Sequence, residues 1–207
     1  MLILDGKVVS EARRLNLRPR VEKFRSCVGR PPHLVVVIVG ENTASQVYVR
    51  NKVRACESVG IRSSRIDLPA VLTQEALNET VKKLNEDDGV DGILVQLPLP
   101  SGLREEPIFD IITRFKDADA FSYQSLGYLW GGHSLIAPCT PRGVMSILDY
   151  YKISVVGKRA VVVGRSNIVG KPMAHLLATA DATVTICHSK TQDLRSHTRE
   201  ADIVVVA

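Results

Sequence analysis

Runs of consecutive apolar residues alternate with longer charged stretches along this chain, and the two patterns predict different elements. HLVVVIVG (33–40), DGILVQL (91–97), RAVVVG (159–164) and IVVVA (203–207) are largely β-branched and apolar at successive positions, as strands buried on both faces of a parallel sheet are. IRSSRIDL (61–68) and ATVTIC (182–187) complete the predicted strands. Helix-compatible segments lie at Gly6 to about Arg25, Thr43–Ser58, Thr73–Asn85, Pro141–Tyr151, Gly170–Ala178 and Thr191–Arg199. Thr73 can cap its helix with Glu75 in the first turn, and Pro141 suits a first helical turn. Strands separated by helices of this length imply parallel βαβ units, hence an α/β fold. Two such series predict two lobes, residues 1–138 and 139–207, with KDADAFSYQSLGYLWGGHSLIAPCTP (116–141) read as an irregular connecting stretch.

The second series carries the clearer chemistry. VVVGRSNIVGKP (161–172) runs strand, glycine turn, helix, which points backbone N–H groups and a helix N-terminus at a pyrophosphate. Only Gly164 and Gly170 are glycine, so the motif departs from GxGxxG and is also compatible with a tight turn that binds nothing. A fold selecting NAD would place Asp or Glu after the next strand; here His188, Ser189 and Lys190 follow, and Arg165 follows the first glycine. Those groups suit a 2′-phosphate, so NADP is expected over NAD.

In the first series Tyr48 and Lys52 are four apart on a predicted helix and share a face. A lysine amine can shuttle protons and a phenol can orient or stack on a substrate, although such pairs are also common on surfaces. Gln96 ends a predicted strand just before Pro98 and Pro100, where ligands of open α/β sheets bind. Its amide can meet both a lysine and a ligand ring, or simply satisfy a turn. Asp117 and Asp119 are placed in a loop, where either can accept paired N–H donors or serve turn chemistry.

Composition narrows the class without choosing within it. At 45% hydrophobic and 24% charged residues, the chain has an ordinary globular balance. Its longest fully apolar run, Leu34–Val39, cannot cross a bilayer, and MLILDGK does not read as a signal peptide, so no membrane association and a cytoplasmic location are expected. The net charge is +5, with Lys and Arg scattered rather than blocked, and aromatics are only 5%, which argues against nucleic-acid binding. Cys27, Cys56, Cys139 and Cys187 lack zinc-site spacing and are expected to be free thiols, mostly buried, with no metal bound.

Taken in order, YVRNK, VQLPLP, PCTPRG, GRSNIVGKP and CHSKT resemble the signatures of the methylenetetrahydrofolate dehydrogenase/cyclohydrolase family across the chain. The resemblance implies oxidation of 5,10-methylenetetrahydrofolate by NADP and hydrolysis of the methenyl product to 10-formyltetrahydrofolate, in one-carbon metabolism and purine biosynthesis. It implies an N-terminal substrate lobe and a Rossmann-type NADP lobe, and a homodimer. Lys52 would be the acid/base, Gln96 would orient it, Tyr48 would position the folate and Asp119 would bind the pterin. Gly164, Arg165, Ser166 and Ser189 would hold NADP. The family pattern KDVDG reads KDADA here, so the methyl of Ala120 is expected to tighten or misplace the turn carrying Asp119. The family also continues past IVVVA, so the NADP lobe is expected to be incomplete, and an inactive, folate- or nucleotide-binding remnant is the alternative reading. A short-chain dehydrogenase fails on order, since its Tyr/Lys pair would follow the dinucleotide fold.

Overall fold

The structure, a computed structural model, describes residues 2–134 and 136–207, with Ala44 described by its backbone alone. Two compact units emerge: Ser10–Ala118 with Ser122–Gln124 form one, and the residues up to Val9, Asp119–Phe121 and Ser125–Ala207 form the other. The elements are α1 (Gly6–Val28), β1 (His33–Val39), α2 (Thr43–Ser58), β2 (Arg62–Leu68), α3 (Gln74–Glu86), β3 (Gly92–Val95) and α4 (Glu106–Ile111). Then follow α5 (Tyr123–Trp130), α6 (Cys139–Tyr150), β4 (Arg159–Val163), α7 (Gly170–Thr179), β5 (Thr183–Cys187), α8 (Leu194–Arg199) and β6 (Ile203–Val206).

The first unit is built on a parallel sheet of order β2-β1-β3. Its central strand is buried on both faces, which is why its sequence reads as an unbroken apolar run. Val35, Val37 and Val39 pack with Leu77, Val81 and Leu84 of α3 and with Ile108 of α4. The alternate residues Val36 and Ile38 pack with Val49 and Val53 of α2. Each aliphatic side chain so removed from water contributes about 1.5–3 kcal/mol. The chain leaves β1 for β2 on one side and returns to β3 on the other, so a crevice opens beyond the C-terminal ends of β1 and β3.

The second unit repeats that plan with order β5-β4-β6, all parallel. Val162 of β4, Met173 and Leu177 of α7 and Leu148 of α6 form its core. The other side is less covered at its edge: Val204 and Val206, which pair with Val161 and Val163, are exposed.

Two expectations need correction. The stretch read as irregular contains α5, whose Ser125 and Leu129 are buried one turn apart and whose end is marked by Gly131 and Gly132. Gly127 in its middle weakens the helical signal, and packing of that buried face overrides it. The cysteines are not mostly buried: Cys187 is buried and Cys56 half-buried, while Cys27 and Cys139 are exposed near helix ends.

A polar cluster fastens the N-terminal edge of the first sheet. Arg30 donates from Nη1 to Asp91 Oδ2 at 2.6 Å and from Nη2 to Oδ1 at 3.1 Å, and the His33 amide donates to Oδ2 at 2.8 Å. The His33 ring bridges the Gly89 carbonyl at 2.9 Å and Ser64 Oγ at 2.8 Å; a carbonyl can only accept, so Nδ1 carries the proton and Nε2 accepts from serine.

Burial alone opposes charge on Asp91, but the Arg30 hydrogen bond, the His33 amide and the guanidinium charge outweigh it and hold the carboxyl below its usual range. A depressed folded-state value means that the stabilisation is complete above the unfolded value of about 3.9 and fades as pH falls through the folded one. With the two side chains 33% and 30% exposed, screening keeps the effect small. Asp91→Asn therefore lowers the urea midpoint at pH 7, and its gap from the parent narrows toward pH 3. A gap that stays constant with pH would contradict this.

Candidate active site

The reactive face of the first unit follows from how α2 is seated. Asn42 caps the helix by accepting the Ser45 amide at 3.0 Å, and Val49 anchors it in the core. Tyr48 and Lys52 flank that anchor on one face. Lys52 Nζ donates to Gln96 Oε1 at 3.2 Å, and Gln96 Nε2 donates to the Leu97 carbonyl at 2.7 Å. Because the carbonyl can only accept, it fixes which end of the glutamine amide faces the lysine. Gln96 is held by its own amide on the Val37 carbonyl at 2.9 Å, immediately beyond β3 and beside β1. The lysine partner is an amide oxygen rather than a carboxylate, so the contact aims the amine without neutralising it.

Tyr48 is 64% exposed, leaving its ring available to a flat ligand. Cys56, one turn beyond Lys52, is no competing nucleophile: burial, then the Glu57 charge, push its thiol up against the opposing pull of Lys52. The carbonyl of Leu97 is a part of the site that sequence reasoning missed. The VQLPLP string places Gln96 correctly but cannot say which neighbour orients its amide.

The aspartates separate in role. Asp117 is buried and its Oδ2 accepts the Ser122 amide at 2.8 Å, so it organises the turn. Asp119 is half-buried. Ala120 adopts φ +58° and is 1% exposed. A left-handed conformation costs a non-glycine residue about 1–2 kcal/mol, and burying a methyl group returns about 0.8 kcal/mol. Burial therefore offsets part of the strain, and the turn forms with alanine in place of glycine.

In the second unit the turn after β4 is compressed to the limit of glycine geometry. Gly164 has φ +137°, and a Cβ there would lie 2.6 Å from the Ala207 carbonyl oxygen. A Cβ on Gly170 would lie 2.3 Å from the oxygen of Gly164. This close approach of helix to strand end is what a dinucleotide cradle needs. Ser166 Oγ accepts the Val169 and Gly170 amides, both at 3.2 Å, so its oxygen fastens the loop and only its O–H remains for a ligand.

Arg165, Ser189 and Lys190 are exposed around the C-terminal ends of β4 and β5, where the Gly164 amide donates to the Cys187 carbonyl at 2.8 Å. His188 Nδ1 accepts the Lys190 amide at 3.1 Å, and the His188 amide donates to Thr191 Oγ1 at 2.8 Å. No carboxylate follows β5 directly. The cradle and its cationic, hydroxyl-bearing rim fit NADP.

Residues 4–119 match the family described as tetrahydrofolate dehydrogenase/cyclohydrolase, catalytic domain, and residues 138–207 match its NAD(P)-binding domain. The bifunctional protein FolD of Bdellovibrio bacteriovorus is 56% identical over 207 residues, covering 100% of this chain and 72% of the relative. The crystal structure of the bifunctional FolD methylenetetrahydrofolate dehydrogenase/cyclohydrolase from Campylobacter jejuni superposes with TM-score 0.96 at 45% identity, covering 100% and 73% of the two chains. The Trypanosoma brucei enzyme complexed with NADP cofactor and inhibitor superposes with TM-score 0.94 at 39% identity, covering 100% and 71%.

The tight loop makes Gly170→Ala a direct test of the cradle. Its Cβ meets backbone rather than a flexible side chain, so the loop must move. Overpacking of this kind costs about 1–3 kcal/mol. Chemical denaturation should show that loss together with a large drop in NADP affinity; unchanged stability and affinity would mean the loop accommodates a side chain.

Proposed function

Since this chain belongs to the tetrahydrofolate dehydrogenase/cyclohydrolase family, we propose that it oxidises 5,10-methylenetetrahydrofolate with NADP and hydrolyses the methenyl product to 10-formyltetrahydrofolate. The observation that carries this reading is the Lys52–Gln96 hydrogen bond at the open C-terminal edge of a parallel sheet. In this proposal residues 1–138 hold the folate and residues 139–207 the nucleotide. The protein acts as a cytoplasmic homodimer in one-carbon metabolism, supplying purine biosynthesis, with no nucleic-acid or membrane partner. No helix among the described residues is long and apolar enough to cross a membrane.

Bound NADP would supply the hydride acceptor for the first step. Tyr48 presents its exposed ring to the folate, and Asp119 offers a carboxylate to the paired N–H donors of the pterin. In the second step water attacks the methenyl carbon and the bond to a ring nitrogen breaks. Lys52 moves the protons: it receives one from the attacking water and returns one to the departing nitrogen. Gln96, itself aimed by the Leu97 carbonyl, keeps the amine directed into the crevice.

On the nucleotide, Gly164 and Gly170 let the backbone approach the pyrophosphate. Ser166 contributes its O–H, and Arg165 with Ser189 holds the 2′-phosphate, with Lys190 adding charge. Replacing Arg165 by alanine should weaken NADP binding by about 1.5–3 kcal/mol, the range for a hydrogen bond to a charged group, and NAD far less. Titrations with both cofactors check this, and equal losses would refute the assignment.

Lys52→Met tests the proton shuttle, because it keeps most of the side-chain length while deleting the amine. Methenyl hydrolysis should fall about 10²–10⁴-fold, as expected for lost acid–base catalysis, with NADP affinity nearly unchanged. Near-normal hydrolysis by a folded Lys52→Met protein would remove Lys52 from the mechanism.

A further inference from the structure

Helix α1 carries seven basic residues against two acidic ones, a net charge equal to the +5 of the whole chain. The positive charge is therefore concentrated on one element, which the sequence-wide spread of Lys and Arg conceals. A cavity of about 470 Å³ lies along that helix, lined by Arg14 and Arg18 of α1 and by Asn51 and Arg54 of α2. It shares Leu15, Arg18 and Ser58 with a second hollow of about 620 Å³, to which Arg25 belongs. Neither Lys52 nor Gln96 lines either one. At about 100° per residue, the cavity-lining side of α2 is roughly a quarter turn from the Tyr48–Lys52 face.

The guanidiniums in this cavity are largely unneutralised. Among the described residues, Arg14 and Arg54 have no ion-pair partner, and Glu11 is the single carboxylate in the lining. Arg18 donates from Nε to the Ser58 carbonyl at 3.2 Å, at the C-terminal end of α2. That contact anchors the side chain at a helix end with spare acceptors and leaves its two terminal nitrogens uncommitted. Like charges gathered in one concavity repel each other, and an anion reverses that cost. Planar guanidinium forks match carboxylate and phosphate oxygens. The volume is that of a small-molecule site, and no aromatic ring lines it on which a base could stack.

We propose that the α1–α2 groove is a second ligand site, which binds a small anion carrying two or more closely spaced carboxylates or phosphates through Arg14, Arg18 and Arg54. It is independent of the folate reading, since no residue of that chemistry lines the groove.

The test is a titration of ¹⁵N-labelled protein with tripolyphosphate and, separately, with citrate at low salt, followed by amide shifts. Saturable shifts are expected at Arg14, Arg18, Asn51 and Arg54. In Arg14→Gln/Arg54→Gln the concentration needed should rise at least tenfold, and Arg18→Gln gives an independent second variant. A response to tripolyphosphate alone assigns phosphate as the ligand group, to citrate alone carboxylate, and to both a site that reads charge density. The proposal is overturned if shifts are confined to the loop around Arg165 and Ser189, if they do not saturate with either probe, or if folded variants respond like the parent.

Discussion

From Val35 to Val39 the central strand of the first sheet is almost wholly withdrawn from water, with alternate side chains committed to opposite helical layers. Burial on both faces constrains the rest of this unit. Such a strand satisfies its backbone polar groups through neighbours on both edges; here both are parallel, and parallel neighbours require crossover connections, whose helices then cover the faces. Polar chemistry is left with the strand ends. At the N-terminal ends this chain places the Arg30–Asp91–His33 cluster, whose hydrogen bonds are all internal. At the C-terminal ends the order β2-β1-β3 opens a crevice, and Gln96 stands at its lip.

The same constraint acts in the second unit with a different outcome. There the C-terminal edge holds a glycine turn so close to its neighbours that two Cβ atoms would collide with backbone oxygens. One edge therefore presents side-chain chemistry, a lysine aimed by a glutamine, and the other presents backbone N–H groups and a cationic rim. In the proposed reaction the first edge moves protons, which needs a movable group, and the second meets a pyrophosphate, which is best held by preformed dipoles. Both arise from one sheet plan because function resides in what the strand ends carry rather than in the fold.

Electrostatics add a feature that neither sheet explains. The net positive charge of the chain is carried by α1, and Arg14, Arg18 and Arg54 meet in a concavity with one carboxylate. Surface cations that serve only solubility gain nothing by converging, since like charges in one hollow oppose each other.

Much of this was legible in the residues themselves. β1 and β4 follow from unbroken β-branched runs, α2 from its helix-compatible pattern, and the cap of α3 from Thr73, whose Oγ1 accepts the Ala76 amide at 3.2 Å. These are local matters of period and capping, which a linear chain displays. The pairing of Tyr48 with Lys52 was likewise visible as helical spacing. Sequence did not reveal α5, because Gly127 lowers its intrinsic helicity and only the packing of Ser125 and Leu129 restores it. Nor did it reveal that Asp117 is committed to the Ser122 amide, or that Ser166 fastens its own loop, since hydrogen bonds of that kind depend on where a turn closes. The contact of Lys52 with Gln96 joins residues 44 apart, and Arg14 and Arg18 of α1 are likewise far along the chain from Arg54 of α2. Periodicity reports only neighbours within a few residues. Which faces meet is decided when burial of the apolar stripes fixes the helices on the sheet, and that juxtaposition belongs to the tertiary structure alone.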